Sequence, residues 1–234
     1  MNFMTVRLME IDALRGIAIL CMVLFHAAFD AMMLGMWDFE PYGWPLIIFV
    51  RAVQFLFLGL VGVSVALSGR GVRAQAKRGV WIFGAGMLVT LATWVLFPTE
   101  FVRFGVLHFI GVVVPVVALF KGRKCLAVLL AVAGFLLGEY FGGLRVENAW
   151  LFWLGLRDSG FGSLDYFPIF PWIAAPLVGL VVGEVVYRER KPTRLVILAK
   201  VPGLTAMGRH SLAIYLLHQP VLYFTLWGLK SFYN

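Results

Sequence analysis

Stretches of about twenty mainly apolar residues recur along this chain, separated by short breaks that carry glycine, proline or charge. A bilayer core about 30 Å thick needs roughly that length per helix. No water inside the bilayer can satisfy an open backbone, so such a chain folds as membrane-crossing helices. Seven spans can be drawn, at residues 13–34, 44–67, 80–97, 104–120, 125–142, 166–186 and 210–229. Residues 148–156 are too short to cross and read as an interfacial or re-entrant piece. No internal repeat, low-complexity tract or soluble linker interrupts the pattern, so residues 1–234 are expected to form a single all-α transmembrane domain of about seven helices.

Composition agrees: 62% of the residues are apolar and 14% charged, with a mean hydropathy of +0.91. Soluble domains are nearer half apolar and a quarter charged. The net charge of +8 would suggest nucleic acid in a soluble protein; here its position matters more, because short cytoplasmic loops collect Lys and Arg. Arg70, Arg73, Lys77 and Arg78 lie between spans two and three; Lys121, Arg123 and Lys124 between four and five; Arg188, Arg190, Lys191, Arg194 and Lys200 between six and seven. The opposite segments hold Arg103, Arg145, Arg157 and Lys230 beside Asp38, Glu40, Glu100, Glu147, Asp158 and Asp165. The amino terminus is therefore expected in the cytoplasm and the carboxyl terminus outside. Glu10 and Asp12 precede the first span, which lacks a small-residue cleavage site and reads as a retained helix rather than a secretory signal. Cys21 and Cys125 have neither disulfide-framework nor metal-ligand spacing.

An ionisable side chain inside a span costs at least a few kcal/mol on insertion scales, so each one marks a candidate site. Arg15 lies near the inner end of span one. His26 follows eleven residues later, roughly 16 Å further along at 1.5 Å per residue. Asp30 is one turn beyond on the same face, where a carboxylate can fix an imidazole's tautomer and raise its basicity. Arg51, His108, Glu139, Asp165 and His218 fall at similar or outer depth in other spans. Arg15, Arg70, Arg73, Lys200, Arg209 and His210 form a basic set at the inner side, suited to a phosphate-bearing ligand. Taken one at a time, His108, His210 and His218 read equally well as structural groups bonded to a neighbouring helix, and Arg51, Glu139 and Glu184 as interhelical pairs. His26 with Asp30 is different: two titratable groups stacked at mid-membrane are costly to keep without a use.

Five segments carry a family resemblance. Glu10-Ile-Asp-Ala-Leu-Arg-Gly-Ile-Ala-Ile-Leu through His26 and Asp30, Phe57-Leu-Gly-Leu-Val-Gly-Val-Ser-Val-Ala-Leu-Ser, Phe104-Gly-Val-Leu-His-Phe-Ile-Gly, Asp165-Tyr-Phe-Pro-Ile-Phe-Pro-Trp and Gly208-Arg-His-Ser-Leu-Ala-Ile-Tyr-Leu-Leu-His-Gln-Pro occur in that order. Together they resemble the heparan-α-glucosaminide N-acetyltransferase-like membrane proteins. The Arg15 to His26 spacing is also similar to the signature of the wider transmembrane acyltransferase-3 superfamily. The lysosomal enzyme that names the family carries its catalytic histidine in the stretch after the first matching helix. Residues 31–44 hold no histidine here, so the resemblance implies the reaction class rather than that enzyme's whole mechanism.

What the resemblance implies is transfer of an acetyl or longer acyl group from cytoplasmic acetyl-CoA to a sugar amine or hydroxyl on the far side. His26, oriented by Asp30, is expected as general base, with His108 polarising the thioester or binding the acceptor. Arg15, Arg70, Arg73, Arg209 and His210 are expected at the CoA phosphates, and Arg51, Asp165 and His218 at the acceptor. The expected partners are acetyl-CoA, an extracytoplasmic glycan or other acceptor and the bilayer, with no metal and no nucleic acid. The expected location is the plasma membrane of a prokaryote. Small residues in span two, Gly59, Gly62, Ser64 and Ser68, suit close packing within the chain or in a homodimer. The alternatives are a small-solute transporter, in which the polar groups line a path, and a non-catalytic scaffold, in which they hold the helices together.

Overall fold

The computed structural model describes residues 8–233 except 39, 42, 148 and 190, so Arg190 of the basic loops and Asn148 of the short segment lie outside the described residues. Among the described residues the regular structure is all helical. Its α-helices are α1 (Met9–Met33), α2 (Trp44–Leu67), α3 (Val72–Leu96), α4 (Val106–Leu119), α5 (Lys124–Gly143), α6 (Ile169–Trp172), α7 (Ala174–Val186), α8 (Leu204–Arg209) and α9 (Ser211–Tyr233), with 3₁₀ turns at Ala149–Leu154 and Arg194–Lys200. Among the described residues six stretches are long and apolar enough to cross a membrane: α1, α2, α3, α5, the run Ile169–Val186 and α9. The protein is thus an integral membrane protein. The fourth expected span departs from the pattern. α4 has 14 residues, about 21 Å of helix, and ten of them are buried. Wrapped by protein, it need not match the bilayer thickness.

The described residues fall into two compact units. The first, Leu58–Glu189, contains the second half of α2 together with α3 to α7. Its tightest pair is α3 with α4. A Cβ on Gly79 would overlap the carbonyl oxygen of Gly111, and a Cβ on Gly111 would press on the backbone of Phe83. Without a hydrophobic drive between helices in lipid, such backbone approach supplies the packing. Gly62 meets the backbone of Pro176, and Gly179 meets that of Gly59, so these small residues of α2 pack within the chain. Glu184 of α7 accepts the backbone N–H of Gly122 at 2.7 Å, which closes the turn between α4 and α5.

The second unit comprises residues 8–57 and 191–233, with α1, the first half of α2, α8 and α9. The segment expected as a loop between the last two spans instead folds as the 3₁₀ turn Arg194–Lys200 followed by α8. Glu10 anchors it: its two carboxylate oxygens accept the Thr193 N–H at 3.0 and 2.9 Å. α8 then lies against α1 with no side chain between the backbones. A Cβ on Gly208 would overlap the carbonyl of Asp12, and one on Gly16 that of Leu204.

The tight crossing of α1 and α8 has a measurable cost if filled. Gly208→Ala should lose about 1–3 kcal/mol of stability, lowering the Tm of the detergent-solubilised protein by several degrees. Gly84→Ala, at a helical glycine with nothing within 4 Å of the added carbon, should leave Tm unchanged or slightly raised.

Candidate active site

α1 carries polar groups at both ends, and in each case a partner comes from the final quarter of the chain. Near its start, buried Asp12 receives two guanidinium groups: Nη1 of Arg15 lies 2.9 Å from Oδ1, and Nε of Arg209 lies 3.5 Å from Oδ2. Arg15 is one turn along α1, so the acid and base share a face; Arg209 ends α8, which the glycine crossing brings alongside. The Arg209 side chain is 45% exposed. His210 follows it, exposed, at the end of α8. Of the five residues expected at a phosphate, the second unit contains Arg15, Arg209 and His210, and Asp12 brings the first two together. Arg70 and Arg73 belong to the first unit, exposed on either side of the α3 N-terminus.

Towards the other end of α1, the His26 ring faces the ring of His218 on α9. Their centroids are 5.0 Å apart, with the planes inclined at 61°. His218 Nδ1 lies 2.7 Å from the carbonyl oxygen of Tyr215. A carbonyl only accepts, so Nδ1 holds the proton and the neutral ring keeps its lone pair on Nε2. The next residue, Gln219, donates from Nε2 to Asp30 Oδ1 at 2.8 Å. Asp30 Oδ2 and Gln219 Oε1 are buried without hydrogen-bond partners among the described residues. The expectation that Asp30 orients His26 is corrected here. The short carboxylate is taken by the amide of α9, and the His26 ring turns to His218 and to the edge of Phe25.

His108 does different work from that expected. It lies in the first unit, buried between Phe83 and Phe104. Its Nδ1 accepts the N–H of Gly105 at 3.2 Å. Nε2 therefore carries the proton and donates to Thr90 Oγ1 at 3.3 Å, while that hydroxyl donates to the carbonyl of Val102 at 2.6 Å. Both ring nitrogens are spent capping α4 and tying it to α3, which leaves none to polarise a thioester. Asp165 likewise caps α4, accepting the N–H of Val106 at 2.9 Å. The exposed Arg51, on the first half of α2, contacts Gln54 one turn along at 3.5 Å. Among the described residues no group of three His, Cys, Asp or Glu side chains is placed to hold a metal.

Sequence reading missed Asp12 and Gln219 as site residues. The spacing of three between Asp12 and Arg15 would have revealed the first. The second is 189 residues from Asp30, and no local pattern links them.

No curated protein and no solved structure matches the chain. Residues 7–220 match the family described as heparan-alpha-glucosaminide N-acetyltransferase, catalytic, and with nearly its whole length matched the chain belongs to that family of acetyltransferases.

Proposed function

We propose that the protein transfers an acetyl group from cytoplasmic acetyl-CoA to an amine or hydroxyl, most simply of a sugar, presented from the other side of the membrane. The observation that carries this reading is the layout of α1, with a guanidinium-bearing end at Asp12, Arg15 and Arg209 and a paired-histidine end at His26 and His218. The two ends are about eleven residues of helix apart, roughly 16 Å, a distance that an extended pantetheine arm covers. Phosphates would dock at Arg209, Arg15 and His210, and the thioester would lie near the two rings. The positive loops support a cytoplasmic amino terminus and an outward histidine end. The host membrane on this reading is the plasma membrane.

In the reaction the acceptor nitrogen or oxygen attacks the thioester carbonyl and loses its proton to His26. The C–S bond breaks, and the CoA sulfur leaves and is protonated to the free thiol. His218 is the natural second member: its lone pair at Nε2 faces the same region, so one imidazole can receive a proton while the other returns one. Asp30 Oδ2 and Gln219 Oε1 supply buried acceptors that a sugar hydroxyl or amine can satisfy.

Removing the base should cost about 10²–10⁴ in rate. His26→Ala is expected to lose acetyl transfer to that extent while still being stabilised by CoA in a thermal-shift titration. Normal turnover in that variant would refute the assignment. Arg209→Gln should raise the KM for acetyl-CoA about tenfold or more, the worth of a charge-assisted hydrogen bond, with kcat little changed and the salt sensitivity of KM reduced. His108→Ala should instead lower Tm and leave the specific activity of the folded fraction within a few-fold of normal; a 10²-fold loss of kcat without loss of stability would restore a catalytic role.

A further inference from the structure

In the first unit, the segments at the end opposite the turns 68–71 and 120–123 are knitted together by backbone and serine hydrogen bonds. Leu164 N–H donates to Glu100 O at 2.7 Å and Phe167 N–H to Phe104 O at 2.9 Å. Ser163 Oγ accepts the Arg103 N–H at 3.2 Å, and Val146 N–H donates to Arg157 O at 3.2 Å. This framework fixes a row of rings: Phe152 and Phe161 stack at 6.0 Å, and Phe161 meets Tyr166 at 4.7 Å. The Tyr166 hydroxyl donates to Phe152 O at 2.7 Å. Burial pushes it up to about 12, against the opposing effect of Arg157, so it stays a neutral donor.

Two guanidinium groups lie on this row. Arg103 sits over Phe101 at 5.1 Å and over Phe161 at 5.2 Å, and Arg157 sits over Tyr166 at 5.7 Å. Among the described residues neither side chain has a carboxylate or any other hydrogen-bond partner, and Arg103 Nε is buried without one. This happens where acids are at hand. Asp158 is taken up by the N–H of Gly160 and Asp165 by that of Val106. Acidic residues are thus present and bonded elsewhere, while the two arginines are braced by ring faces that hold a guanidinium in place without occupying its N–H edges.

A braced guanidinium with empty donor edges is built for a bidentate oxyanion. We propose that Arg103 and Arg157 form a binding site for a tetrahedral oxyanion of the phosphate class, carried by an anionic phospholipid headgroup or by a soluble phosphate-bearing ligand. The site is built from first-unit residues alone, and the proposal holds whether or not the chain transfers acetyl groups. Neutral ligands and chloride do not satisfy two forked donors and bind poorly.

The test uses the purified full chain in a zwitterionic detergent, with Tm followed while inorganic phosphate is added against chloride at matched ionic strength. In a second arm, phosphatidylglycerol is added against phosphatidylcholine. The wild type should show a saturable rise in Tm in at least one arm. A rise with phosphate identifies a soluble group, and one confined to phosphatidylglycerol identifies a headgroup. Arg103→Gln and Arg157→Gln should each weaken the response about tenfold or more, whereas Arg145→Gln and Arg209→Gln should leave this component of it intact. Should the glutamine variants fail to fold, Arg103→Lys, which keeps the charge and loses the fork, should still bind several-fold more weakly. No saturable response in the wild type, or an undiminished one in the Arg103 and Arg157 variants, overturns the proposal.

Discussion

A carboxylate carried into a membrane helix must find cations or donors within the protein, and α1 carries three such groups. Glu10 accepts a backbone N–H, Asp12 gathers two guanidiniums, and Asp30 accepts a side-chain amide. Every one of these partners outside α1 comes from residues 191–233. The demand to satisfy three acids therefore ties the first helix to the end of the chain and creates two polar clusters on one rod. The Gly16 and Gly208 contacts make the Asp12 cluster geometrically possible, because a side chain at either position would hold α8 away from Asp12.

The same demand explains the first unit from the other direction. There the polar groups at the start of α4, namely Gly105, Val106, His108 and Asp165, satisfy one another. A helix that begins inside protein needs its first N–H groups bonded, and a histidine three residues after the cap reaches back to do so. The result is a rigid joint rather than a reactive group. The contrast between the two units is instructive: His108 has both nitrogens committed, whereas His26 makes no hydrogen bond among the described residues and His218 is fixed by a carbonyl in one tautomer.

Much of the fold was readable in the amino-acid sequence, because hydropathy over twenty residues reports burial in lipid directly. Among the described residues, five of the seven spans correspond to single long helices, and the sixth to the broken run Ile169–Val186, which is still long enough to cross. The fourth was drawn too long because its apolar run begins at Phe104 and Gly105, which are buried but extended and precede the helix. α8 was not foreseen, since six residues carry too little periodicity to separate from a loop. His26, Arg15 and Arg209 were legible as costly polar groups. Their partners were less so: the His26 to His218 contact and the Asp30 to Gln219 bond span nearly the whole chain, and a helical spacing of four favoured the wrong neighbour for Asp30. The Arg103 and Arg157 platform was hidden for a related reason, since two arginines beside Asp158 and Asp165 look paired until those two acids are seen to accept backbone N–H groups.

The central claim is that acetyl transfer takes place at the paired imidazoles of α1 and α9. Its most direct test is covalent mapping with a CoA thioester bearing an electrophilic acyl group, such as chloroacetyl-CoA, followed by peptide mass spectrometry. The expected result is modification of His26 or His218 that excess acetyl-CoA suppresses. Suppressible labelling at His108, or protection confined to residues remote from both rings, would contradict it.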